Sequence, residues 1–168
     1  MTWTKSCLVF LLLLQGCGIY SFSGPPLPPA AKTFSLTFQA NVALGPPDLA
    51  GRFTERLGDE VTQHTALKQV ETKGNLEFKG AITQFRYESI APSKGREAEQ
   101  PSTERLFIAL EMDYHNPYEP AASWSKKTFS QYADMPAAGS RDQEEPRLIE
   151  EIFTKLVKDI FNQTIASW

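Results

Sequence analysis

The stretch GNLEFKGAITQFRYESI, residues 74–90, alternates apolar and polar side chains and then changes phase. Leu76, Phe78 and Ile82 share one parity, whereas Phe85 and Tyr87 take the other. Successive side chains of a strand point to opposite faces, and a slip of one residue exchanges those faces. A single long strand with one buried face therefore needs an extra residue, and the spacing predicts a bulge near Thr83–Gln84. On the polar side of this strand, Arg86 projects with Gln84 and Glu88.

Working outward, the same logic assigns the neighbours. Upstream, TFSLTFQA (33–40) alternates strictly, with Phe34, Leu36 and Phe38 on one face. The breaker LGPPD (44–48) follows, then a helical stretch in which Leu49, Phe53, Leu57 and Val61 recur every four residues. Asp48 stands where an N-cap would satisfy free amides. LKQVE (67–71) reads as a short, strand-like piece. Downstream of the polar loop IAPSKGREAEQPST (90–103), RLFIALEMDYH (105–115) sets Leu106, Ile108, Leu110, Met112 and Tyr114 on one face. HNPYEPAA (115–122) turns the chain into the more polar strand SWSKKTFSQY (123–132). From Glu144 a helical pattern runs through Leu148, Ile149, Ile152, Phe153, Leu156, Val157, Ile160 and Phe161, with Pro146 expected in its first turn. The expected fold is α+β: two helices on one face of a four-stranded, mostly antiparallel sheet in the order β-α-β-β-β-α, with room for a short extra strand. The first strand–helix–strand unit could bring its two strands together in parallel.

The chain begins as an export signal does. Lys5 precedes the apolar run Cys7–Leu14, far shorter than the roughly 20 residues of a membrane-spanning helix. Leu14, Gln15, Gly16 and Cys17 follow, an arrangement that resembles the lipobox of bacterial lipoproteins, with Gln15 in place of the usual Ser, Ala or Thr. It implies cleavage after residue 16 and acylation of Cys17. An unpaired thiol left in an exported protein asks for such an explanation. The alternative is an ordinary signal followed by a chance cysteine. Residues 1–16 are thus expected to form a lipoprotein signal peptide, 17–31 the lipidated start and Pro-rich linker, and 32–168 a single domain. GPPLPPAAK (24–32) reads as a stiff spacer or as coil packed along the domain.

Composition narrows the function. With 17 basic and 20 acidic side chains the net charge is −3, which argues against nucleic acid as a general partner. With Cys7 cleaved away and Cys17 acylated, no disulfide is available. The only histidines are His64 and His115, too few for a zinc site, and no cofactor is expected. G-x-S-x-G, Walker A and G-x-G-x-x-G motifs are absent from the sequence. The expectation is a non-enzymatic scaffold or binder; a hydrolase using a serine, His115 and a carboxylate is the enzymatic rival. Arg86, Lys126 and Lys127 are candidate phosphate contacts, provided that such groups converge. Phe107, Tyr118, Trp124 and Tyr132 are candidates for an aromatic contact surface.

The start CGIYSFSG (17–24), the segment FSQYAD (129–134) and the ending LIEEIFTKLVKDIFNQTIASW (148–168) together resemble the LptE family of lipopolysaccharide-assembly lipoproteins. The resemblance implies two helices on a mostly antiparallel sheet. It also implies a partner, the outer-membrane β-barrel LptD, within which the lipoprotein sits as a plug, supports barrel assembly and aids delivery of lipopolysaccharide to the outer leaflet. Localisation at the outer membrane through the Cys17 lipid, and lipopolysaccharide as a ligand, follow from the same resemblance. A lipid-anchored interaction module of another envelope complex is the rival reading.

Overall fold

The computed structural model describes residues 30–42, 45–90, 103–136 and 139–166. The expected signal peptide, Cys17 and most of the Pro-rich stretch lie outside the described residues. The elements are β1 (Thr33–Ala40), α1 (Leu49–His64), β2 (Lys68–Val70), β3 (Leu76–Ile90), β4 (Thr103–His115), β5 (Trp124–Asp134) and α2 (Arg141–Thr164). A single 3-10 turn at Pro120–Ala122 lies in the β4–β5 connection.

The sheet has five strands in the order β2-β1-β3-β4-β5, not the four expected. The added strand is β2, three residues long and largely exposed, so burial gives it no alternating pattern to read. Nor is the sheet mostly antiparallel by pairing. β1 runs parallel to both β2 and β3, whereas β3–β4 and β4–β5 are antiparallel, which makes the sheet mixed. The cause is β1, inserted between strands that follow it in the chain, an order that no local pattern reveals.

The phase change in β3 is a bulge. The β3–β4 register shifts between Ile82 and Gln84, leaving Thr83 as the extra residue. Leu76, Phe78, Ile82 and Phe85 consequently all point into the core. Facing them from β4 are Leu106, Ile108, Leu110, Met112 and Tyr114, each buried.

Both helices cover this one face. From α1 come Leu49, Phe53, Leu57 and Val61, all fully buried. The apolar stripe of α2 is buried from Leu148 to Ile160, and Phe161 stands at its margin beside His64, ring centroids 5.6 Å apart. Such side chains contribute about 1.5–3 kcal/mol each as an upper bound. Phe53 meets Phe153 edge-on at 5.2 Å, and Arg52 pairs with Glu150 at 2.8 Å, so the helices also pack on each other.

Two helix starts differ from expectation. Asp48 occupies the N-cap position of α1 but its side chain makes no capping bond. Helix α2 begins at Arg141, which places Pro146 inside the helix and not in its first turn. Arg141, Asp142 and Gln143 are polar, so the apolar period could not mark them.

The link from β2 to β3, residues 71–75, crosses the helix-free face of β1. Gly74 donates its N–H to Ser35 Oγ (3.2 Å), which explains why Ser35 is a buried polar residue. A Cβ at Gly74 would lie 2.4 Å from the Phe34 carbonyl carbon, so only glycine lets the segment pass this close.

Candidate functional site

The face turned away from the helices presents polar and aromatic groups at the tips of β3, β4 and β5. Arg86, Phe107 and Tyr132 are register neighbours across three strands. The Arg86 guanidinium lies 4.0 Å from the centre of the Phe107 ring, and that of Arg105 lies 3.6 Å from the centre of Tyr132. Cations over ring faces are favourable contacts that also hold the side chain in place. Arg86 is further bound by Gln84 and by Glu88 at 2.8 Å. Arg105 forms two bonds to Asp134, at 2.6 and 3.1 Å. This fork holds the Asp134 carboxyl below the usual carboxylate range.

Around the bulge, Gly45, Pro46, Phe85, Arg86, Tyr87, Arg141 and Glu145 line a cavity of about 500 Å³. Arg141 reaches this partly apolar hollow from the helix side, whereas the Arg86 guanidinium lies over Phe107 on the open face. Arg141 grips Glu104 with two bonds and lies over the Tyr87 ring at 4.7 Å. That hydrogen bonding lowers the Glu104 pKa and raises that of Arg141. The Tyr87 hydroxyl donates to Glu145 at 2.8 Å. Burial, then the bond and charge of Glu145, push the Tyr87 pKa well above its ordinary value of 10. Arg141 escaped the sequence reading because it sits in a stretch of small residues with no periodic neighbour. Only its charge marked it.

Lys126 and Lys127 lie at the other end of the sheet. A second bulge sets Ser125 and Lys126 against the single residue Asp113, and Lys126 adopts φ +52°. Asp113 Oδ1 accepts bonds from Ser125 Oγ (2.5 Å) and Lys126 N–H (2.8 Å), which hold its carboxyl below the usual range. Lys127 turns to the helix side, its ammonium 5.1 Å from the Trp124 ring centre and 5.7 Å from that of Phe129. Lys127 is level with Gly80 through Met112, six residues below Arg86 in β3. At strand spacing that is about 20 Å. The structure does not bring Arg86 and the two lysines together.

The aromatic candidates separate likewise. Phe107 and Tyr132 form the pair described above, with Tyr132 44% exposed. Trp124 packs against Tyr114 and Phe129 at the core margin. Tyr118, 38% exposed, donates its hydroxyl to the Ala30 carbonyl at 3.0 Å.

His115 shares a cavity of about 580 Å³ with Asp113, Ser123 and Ser125, the residue types of a hydrolase. Ser125, however, donates directly to Asp113, and Ser123 donates to the Asn116 carbonyl at 3.2 Å. Both hydroxyls are committed to acceptors other than His115. At the end of α1, His64 Nδ1 stands 3.1 Å from the Glu60 carbonyl. Among the described residues no group of three His, Cys, Asp or Glu side chains is placed to hold a metal ion.

Residues 31–164 match the model of the LptE family, described as lipopolysaccharide-assembly. The chain belongs to the LptE family. Its function is that of a non-enzymatic lipopolysaccharide-assembly lipoprotein partnering LptD. No curated protein matches this LptE-family chain in sequence. Among solved structures it is similar to an uncharacterized lipoprotein B from Nitrosomonas europaea, at 15% identity and a TM-score of 0.50, covering 86% of this chain and 92% of that one. A hypothetical protein from Chlamydia trachomatis, 10% identical, also gives a TM-score of 0.50 over 82% of this chain and 99% of its own. The PelC dodecamer from Paraburkholderia phytofirmans gives 0.45 at 10% identity, covering 84% and 93%. At these identities the first two matches speak for the fold alone. No helix among the described residues is long and apolar enough to cross a membrane.

Proposed function

We propose that this LptE-family domain, tethered to the outer membrane by a lipid on Cys17, stands inside the lumen of its LptD-type partner as a plug. The observation that carries the reading is the uncovered face of the β3–β4 hairpin. β3 has 15 residues and β4 has 13. At about 3.3 Å per residue the hairpin is longer than the roughly 25 Å apolar band of a membrane barrel. Barrel interiors are polar, and this face offers ion pairs with two shielded rings in place of an apolar patch.

Within that arrangement Arg86 contacts a lipopolysaccharide phosphate from the open face. Guanidinium groups suit bidentate phosphate recognition, and here Arg86 can exchange Glu88 for the incoming anion. Lys126 and Lys127, at the far end, are not part of that contact.

Photo-crosslinking tests the plug. A photoreactive residue at Phe107 or Tyr132 on the sheet, and one at Glu55, exposed on α1, should each capture the barrel, because a plug is walled on both layers. Capture from one layer alone, or capture of another envelope protein alone, would remove the lumen placement. For the ligand, Arg86→Gln should lower lipopolysaccharide binding about tenfold or more, and unchanged binding would remove this contact.

A further inference from the structure

Strand β5 forms one edge of the sheet, and its backbone groups sort by direction. Met135 N–H donates to the Glu104 carbonyl at 2.8 Å, so Ala133, Gln131 and Phe129, of the same parity, turn their N–H and C=O to β4. The N–H and C=O of Thr128, Ser130 and Tyr132 therefore point outward from the sheet. Two contacts agree. The Tyr132 carbonyl accepts from Lys155 Nζ of α2 at 3.0 Å. Ala109, level with Ser130, turns its carbonyl the other way, to Thr83 Oγ1 of β3 at 3.3 Å.

Natural edge strands are blunted against stray pairing by bulges, lysines or covering elements. In β5 both ends are treated so. Toward its start, the bulge at Ser125–Lys126, with Lys126 at φ +52°, bends the strand. Toward its end, Lys155 caps the Tyr132 carbonyl and is itself held by Glu151 at 2.8 Å. Between these two devices, the N–H and C=O of Thr128 and Ser130 and the N–H of Tyr132 meet no partner among the described residues. Thr128 and Ser130 are exposed, and their short side chains leave room for another backbone. The open row runs about 13 Å from Thr128 to Tyr132. The opposite edge, β2, is three residues long and offers no comparable row.

We infer that this row pairs with a short extended segment from a loop of the LptD-type barrel, added beside β5 as a further strand. The inference rests on the plug reading and deepens it by naming where the two backbones meet. Two arguments select this occupant. A pairing of this length buries far less than the roughly 1,200 Å² at the low end of stable complexes, so it needs a partner held in place by other contacts. A barrel that encloses the domain is held in that way, whereas a second copy of this chain is not. The wall strands of a closed barrel, moreover, are already paired on both sides, which leaves its loops as the source of free backbone groups. Main-chain bonds then supply the affinity, and Tyr132, 44% exposed, gives the segment an aromatic neighbour on the open face.

The test is residue-resolved amide hydrogen exchange on the full chain, free and in its complex with the barrel. The amides of Thr128, Ser130 and Tyr132 should exchange rapidly in the free chain and at least about tenfold more slowly in the complex, whereas those of Phe129 and Gln131, already bonded to β4, should change little. Ser130→Pro removes an outward N–H without touching the β4 ladder and should weaken the complex about tenfold. Ser130→Ala keeps that N–H and should bind as the unaltered chain does. Equal exchange of the three amides in the free and bound chain overturns the pairing, whether or not the proline variant folds. Equal binding by the proline and alanine variants overturns it as well. Slowing that grows with the concentration of the free chain overturns it in favour of a second copy. Failure of the plug reading is seen separately, in the crosslinking at Phe107, Tyr132 and Glu55.

Discussion

On the covered face of the sheet, Phe34, Phe78, Ile82 and Leu110 are fully buried beneath two helices. On the open face, the prominent rings are Phe107 and Tyr132, each lying under a guanidinium. The same backbone thus supports two kinds of surface. One is held by apolar burial and tolerates no slip; the other is held by exposed ion pairs, which contribute little to stability and leave the side chains open to other partners. Stability and recognition are separated by the pleat.

Phe153→Ala weakens only the covered face and should cost about 3–5 kcal/mol by chemical denaturation. Gly74→Ala probes the place where the open face is itself covered. The new methyl meets the β1 backbone, and a loss of about 1–3 kcal/mol should follow.

Tyr87→Phe should cost about 1 kcal/mol or less at neutral pH, because its bond to Glu145 is partly solvated. The larger signature is its pH dependence. A pKa raised in the folded state means that the unfolded chain loses its proton first. Tyr87 therefore stabilises the fold fully below pH 10 and progressively less as pH rises above it. The phenylalanine variant should lack that part of the alkaline decline in thermal melts. Lys126→Gly, smallest of all, should raise stability by about 1 kcal/mol by relieving a left-handed non-glycine residue on the open face.

The covered face was legible from sequence because burial imposes a period. The parity change in 74–90 revealed the bulge, and the stripes of both helices were complete. β2 was lost from the strand count because it is too short and too exposed to alternate. The opening strand–helix–strand unit pointed to a parallel pairing for β1, but the insertion of β1 between β2 and β3 depends on strand order, which is non-local. On the open face no period separates a working arginine from a solvated one. Arg86 drew notice through its strand, whereas Arg141 became visible only once folding set it over Tyr87 and beside Glu104. The distance between Arg86 and the two lysines was equally hidden, being set by the β4–β5 register.

The position of β1 has a consequence for how the chain is made. Both neighbours of β1 lie later in the sequence, its main pairing ending at Ile82. Emerging from its amino end, the chain releases β1 with Phe34 and Leu36 bare and no strand to accept them. The β3–β4–β5 meander, by contrast, closes on local contacts. Non-local pairing is slow and exposes aggregation-prone segments. The first strand delivered is thus the last to be enclosed, and during that interval it depends on a chaperone or on slow delivery to stay unaggregated.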